Sequence, residues 1–302
     1  MAIASFDNQD YELILSDLIA DIYYSNISYG SKIVLLRKLT ELLVRNFLDI
    51  GAGEPMELGD ITTWKKNEEF KVTERYNKVD KRIVKDFEKT VNSLRKIGNK
   101  HTHTNNVSRA NKDELMMAEN SIWDLFSLLF VQYFLKYNLN LDSDKNVLSF
   151  FSLLPPEIRY RTLRKLIKVK GFDNIQLLDK FLLSIVKTRG VDEARFWLTS
   201  NREKIQNMKY PSMSDIDEYE EGFCQEDLPL KLRQYSNSYE LLTSVINHVA
   251  VRSASYGLYK NFEEAIARYR WYDIDYYLSN SEEQKEFKDL IKFCFIGRVS
   301  VF

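Results

Sequence analysis

The nonapeptide Arg95-Lys96-Ile97-Gly98-Asn99-Lys100-His101-Thr102-His103 holds two of the chain's three histidines, one residue apart, with an arginine five intervening residues before the first. A guanidinium can set a fork of N–H donors on phosphate oxygens. A histidine, with an ordinary pKa of about 6.5, can take or give a proton near neutrality. Arg95 with His101 or His103 could therefore perform acid/base chemistry on a phosphodiester without a metal. No metal-ligand spacing is visible, and neither a metal nor a cofactor is expected. A glycine-rich phosphate loop, a nucleophile elbow and an H-E-x-x-H zinc motif are all missing.

The elements that must position these residues read as helices. Asp10 to Tyr24 places Leu13, Ile14, Leu18 and Ile22 on one stripe. Ser31 to Ile50 repeats Ile33, Leu36, Leu39, Leu43, Phe47 and Ile50 at three and four residues, the helical period. Ser31 is its expected cap, and Gly51 its expected left-handed stop. Residues 61–110 carry 13 basic and 6 acidic side chains, a net of +7. Val72, Tyr76, Val79, Ile83, Phe87, Val91 and Leu94 keep helical spacing within that segment, so one long basic helix is expected, stopping at Gly98-Asn99. Lys81, Arg82, Lys85, Lys89, Lys96 and Lys100 are its candidate nucleic-acid contacts. Asn111 and Glu114 form a capping-box pair for the next helix, whose broad apolar stripe runs through Phe126, Phe130 and Phe134.

Composition agrees with helices. Among 302 residues there are 10 glycines and 5 prolines, 44% of the chain is hydrophobic, and the net charge is −1. These values predict an all-α protein with ample core, and the whole-chain charge balance does not point to nucleic acid. Cys224 and Cys294 form no pairwise motif, which suggests a reducing compartment. Met1 to Asp10 carries Asp7 and Asp10 and no basic residue, unlike a signal peptide. The apolar run Ile122–Phe134 is too short to span a bilayer. A cytoplasmic protein without membrane association is expected.

Leu94-Arg95-x-x-Gly98-Asn99-x-x-x-His103 resembles the HEPN superfamily of small helical bundles, many of them RNases of toxin–antitoxin, abortive-infection, restriction and CRISPR-associated systems. The loose family signature is an arginine followed four to six residues later by a histidine, which Arg95 and His101 satisfy. The match is closer to a branch of unknown function, common in bacterial defence and restriction proteins, that carries L-R-x-x-G-N-x-x-x-H with His103 as the family histidine. The resemblance covers roughly residues 10–140. It implies an antiparallel bundle, a metal-independent endoribonuclease or an effector derived from one, RNA as substrate, and a homodimer in which two motifs share a cleft. The Phe126–Phe134 region is a candidate for that interface.

RNA can supply its own 2′-OH as nucleophile, His103 would move the proton, and Asn99 would orient the histidine or the phosphate. The nuclease form carries R-N-x-x-x-H, and the arginine position is Gly98 here. Arg95, a turn earlier, is the nearest guanidinium. A non-catalytic RNA- or protein-binding module of a defence complex is therefore the alternative reading.

Two domains are expected, 1–143 for the bundle and 144–302 for a helical region able to take a protein partner. Pro155-Pro156 follows the polar boundary Asn138–Asn146. Residues 212–227, with seven acidic side chains and no basic one, read as an acidic linker. Arg268-Tyr269-Arg270-Trp271 reads as core aromatics between exposed arginines, and His248 as a structural residue beside Val245 and Val249.

Overall fold

A computed structural model describes residues 4–63, 73–103, 108–172, 174–223, 229–253 and 260–300. Among these the protein is all-α, with no strand. The chain divides into two compact units, Met1–Tyr133 with Lys285–Phe302, and Phe134–Gln284.

The first unit opens with α1 (Asn8–Ile19), capped by Asp7, and a π-helical turn, Ala20–Tyr24. Its buried face is Tyr11, Leu15, Leu18, Ile19 and Ile22, whereas Leu13 is 82% exposed. Leu18 and Ile22 of the expected stripe are buried, whereas Leu13 and Ile14 are exposed and Tyr11 and Leu15 take their places. Helix α2 (Tyr29–Leu48) is capped by Ser28, whose hydroxyl accepts the Ser31 N–H at 3.2 Å. Asp49, not Gly51, takes the left-handed conformation after it, at φ 55°. Gly51 is needed instead for close approach: a Cβ there would sit 2.6 Å from the Ser5 carbonyl oxygen.

The single basic helix expected from Val72 onward is broken. Val72 lies outside the described residues, and α3 (Leu58–Thr63) and α4 (Thr73–Asn77) precede α5 (Val84–Thr102). Asp80 accounts for the break, since its carboxylate accepts the Arg82 N–H at 2.9 Å and competes with helix continuation. Val79 and Ile83 still reach the core. At the other end, α5 runs straight through Gly98-Asn99. Helix α6 (Lys112–Tyr137) has the expected box: Asn111 Oδ1 accepts the Glu114 N–H at 2.9 Å and Glu114 Oε2 accepts the Asn111 N–H at 3.2 Å.

The sequence reading gave all of 144–302 to the second domain, but the C-terminal part of the last helix belongs to the first unit. Phe287 packs 5.8 Å from Phe130 and 5.1 Å from Tyr133, and Phe293 packs on Phe126 and on Phe6. Aromatic burial of this size drives the return of the chain. It also removes Phe126 and Phe130 from any role between protomers, because both are buried within one chain.

The second unit contains α7 (Lys145–Phe151), α8 (Pro156–Lys170), α9 (Ile175–Arg189), α10 (Val191–Ser200), α11 (Arg202–Gln206), α12 (Met213–Glu221), α13 (Ser238–Ser253), α14 (Phe262–Trp271) and α15 (Ile274–Tyr277); α16 (Glu282–Phe295) then leads back to the first unit. Pro156 starts α8 at the position where a missing N–H costs nothing. The acidic segment is no linker over residues 213–221. Ser212 and Asp215 form a capping box, and Ile216 and Tyr219 are buried against Ile175, Leu230, Leu232 and Leu241. Arg233 donates to Glu220 at 2.5 Å and also pairs with Asp217, so a residue outside the acidic run ties down two of its carboxylates. Trp271, expected in the core, is 89% exposed, and His248 is exposed as well.

Lys187 on α9 is half-buried, and burial, with the cations Arg159, Lys180 and Arg268, lowers its pKa to about 7. A lysine whose folded pKa lies below its unfolded value binds fewer protons in the folded state, so its penalty is full below about 7 and is relieved as pH rises toward 10.5. Lys187→Met is expected to stabilise the protein at pH 6 by on the order of 2 kcal/mol. Chemical denaturation at pH 6 and pH 9.5 should show that gain shrinking at the higher pH.

Candidate functional site

Helix α5 carries the sequence candidates. With about 3.6 residues per turn, Phe87, Val91, Leu94 and Gly98 form its buried face. Lys85, Lys89, Lys96 and Lys100 share the opposite side and are exposed. Arg95 and Asn99 lie along the border between the two faces, one turn apart and half-buried, and His103 ends the helix one turn further on.

Gly98 does not stop the helix, because it faces α2. A Cβ there would lie 2.6 Å from Cδ, 2.7 Å from Cβ and 2.9 Å from Cγ of Arg37. The aliphatic stem of Arg37 fills the place where a side chain would stand. Its Nε donates to Asn99 Oδ1 at 3.0 Å. A guanidinium thus reaches the residue after Gly98 from another helix, 62 positions away in the chain. Arg37 also pairs with Glu41 at 3.3 Å. Burial holds the Glu41 carboxyl above the usual carboxylate range, with Arg37 and Arg45 opposing the shift.

Arg95 donates from Nη2 to Asn92 Oδ1 at 3.1 Å. Its Nε is buried and has no acceptor among the described residues. A buried donor left without a partner costs roughly 1–3 kcal/mol, a cost that an acceptor reaching it would relieve.

The two histidines differ. The His101 side chain is 5% exposed, with Nε2 3.3 Å from Glu114 Oε2 and out of line for a hydrogen bond. Glu114 also takes Lys100. Lys100 and His101 therefore join α5 to the start of α6, and the His101 ring is shielded from solvent. The side chain of His103 is exposed, and no described residue bonds to it; its backbone N–H reaches the Asn99 carbonyl at 3.4 Å. Of the six expected nucleic-acid contacts, Lys81, Lys85, Lys89 and Lys96 are exposed, while Arg82 is bound to Asp80 (2.6 Å) and Lys100 to Glu114.

The hydrogen bond from Lys100, then that from the Asn111 N–H, lowers the Glu114 pKa below its ordinary 4.5. The carboxylate's stabilisation is full above that value and is lost as pH falls through the lower folded one. Glu114→Ala is expected to cost about 1 kcal/mol at pH 7. Thermal melts at pH 7 and pH 3 should show the difference narrowing in acid.

Sequence reasoning missed Arg37. The available signal was Gly98 itself: a glycine inside a helix costs about 1 kcal/mol against alanine and calls for a packing reason.

Among the described residues no group of three or more His, Cys, Asp or Glu could hold a metal ion. No helix of theirs is long and apolar enough to cross a membrane. Cys294 is buried and free, with burial raising its pKa. Compared with protein-family models, curated proteins and solved structures, the chain gives no match.

Proposed function

We propose that the first unit is a metal-independent endoribonuclease of the HEPN type, cytoplasmic and acting in prokaryotic antiviral defence or a toxin–antitoxin pair. The observation that carries this reading is the Arg37–Asn99 bond across Gly98. It supplies from α2 the guanidinium that the motif lacks at position 98. Arg37 and Arg95 would hold the non-bridging oxygens of a phosphodiester. His103 would take the proton of the 2′-OH as the 2′-O–P bond forms. The P–O5′ bond then breaks, leaving a 2′,3′-cyclic phosphate, and the departing 5′-oxygen receives a proton from an acid, which a second protomer's His103 would supply in a homodimer. The exposed Lys85, Lys89 and Lys96 would track the strand.

The second reading is a binding module that docks RNA or a protein without cutting it. The engagement of Arg37 by Glu41 favours it, because a paired guanidinium has less to offer a phosphate. The second unit would then present the protein partner's surface.

Labelled single-stranded RNA in excess chelator separates the two. Cleavage with cyclic phosphate ends is the result expected of the nuclease. Salt-sensitive retention of intact RNA would replace it with the binding module, and neither result would remove RNA from both.

A further inference from the structure

In the second unit, α8, α9 and α10 enclose a cleft of about 360 Å³ whose walls include Tyr160, Phe172, Phe181 and Trp197. Its volume lies in the range of small-ligand sites, roughly 300–1,000 Å³. The rings form one connected set. Phe172 and Trp197 are parallel within 7° at 5.7 Å, Tyr160 and Phe181 within 16° at 5.7 Å, and Phe181 meets Trp197 edge-on at 5.0 Å. Tyr160, Phe172 and Trp197 line the cleft and are only partly buried, so part of each ring stays exposed despite these contacts.

The lining is charged on one side. Arg164 and Lys168 stand one turn apart on α8, are exposed, and pair with no carboxylate among the described residues. Arg164 lies over the Tyr160 ring at 5.9 Å, and Lys204 lies over Phe172 at 5.5 Å. Neighbouring Arg161 and Arg189, by contrast, are both tied to Glu157. Among the described lining residues Glu193 is the single acidic one. The cleft therefore offers aromatic walls beside a pair of cations that no described carboxylate pairs with, which complements a planar ring carrying an anionic group.

We propose that this cleft binds a nucleotide unit, its base against the Phe172–Trp197 wall and its phosphate held by Arg164 and Lys168. Aromatic side chains accept any base by stacking, and adjacent cations track its phosphate. The site is independent of the α5 motif. It assigns the second unit a role in ligand capture that holds whether or not the first unit cuts RNA.

The test uses the full chain carrying His103→Ala, so that RNA stays intact, and follows tryptophan fluorescence. Adenosine, 5′-AMP and 5′-phosphorylated hexaadenylate are the probes, each also titrated against Trp197→Phe to isolate the signal of that residue among four tryptophans. The expected result is quenching by 5′-AMP and by the oligonucleotide, with adenosine at least about ten-fold weaker. The Arg164→Ala/Lys168→Ala double variant alters exposed side chains only. It should weaken hexaadenylate binding at least ten-fold and lower the slope of log affinity against log salt by about 1.4. Hexaadenylate binding far tighter than 5′-AMP would identify a strand as the source of the nucleotide, and equal affinities a free nucleotide. Quenching that persists in Trp197→Phe, or affinity unchanged in the double variant, would overturn the site.

Discussion

Arg37→Ala is expected to reduce chelator-resistant RNA cleavage by about 100-fold or more, as deeply as His103→Ala. Losing one preorganised donor to a developing phosphorane typically costs 10²–10³-fold, and losing a general acid–base about 10²–10⁴-fold. The two variants should differ in kind. His103 is exposed and bonded through its side chain to no described residue, so His103→Ala should leave the melting temperature and RNA affinity unchanged while flattening the pH–rate profile. Arg37 holds Asn99, and its alanine variant should also weaken binding and its dependence on salt. Arg95→Ala should resemble Arg37→Ala. Single-turnover cleavage rates across pH, set beside filter-binding affinities, measure both. Full activity in Arg37→Ala would return the site to Arg95 and His103 alone.

The second large effect is on the seam between α2 and α5. Gly98→Val is expected to destabilise the unit by on the order of 3 kcal/mol, because its first carbon already falls 2.6–2.9 Å from three carbons of Arg37. The far end of Arg37 can swing away, but its Cβ is fixed by the α2 backbone, so relief requires the helices to part. Gly98→Arg, which would write R-N-x-x-x-H into the chain, should fail for the same reason. Combined with Arg37→Gly it should fold again and recover cleavage, since the guanidinium then arrives from the other helix. Urea unfolding of the two single variants and the pair gives the coupling energy. Additive losses would mean that the two positions do not exchange places.

The helices and their faces were legible wherever local chemistry governs them. The Asn111–Glu114 box, the Pro155-Pro156 start of α8 and the 84–102 stripe of Phe87, Val91 and Leu94 all follow from residues within a few positions of each other. What was not legible depends on distant partners. Gly98-Asn99 looks like a helix end until Arg37 is beside it. The acidic run looks like a linker until Arg233 pairs with two of its carboxylates and Ile216 and Tyr219 find a core. His101 and His103 look equivalent in the chain, and only Glu114, one helix on, separates a clasp from an exposed imidazole. Phe126 and Phe130 look available for a partner because the residues that cover them come more than 150 positions later.

That late return has a temporal meaning. During synthesis the segment bearing α2, α5 and α6 leaves the ribosome first, but Phe126, Phe130 and Tyr133 have no Phe287 or Phe293 to meet until α16 has emerged. The nascent N-terminal segment is thus held short of its finished core for the time needed to make the whole second unit. The first unit therefore completes its packing only after the second unit has been made, and its N-terminal helices must stay soluble with those rings uncovered until then.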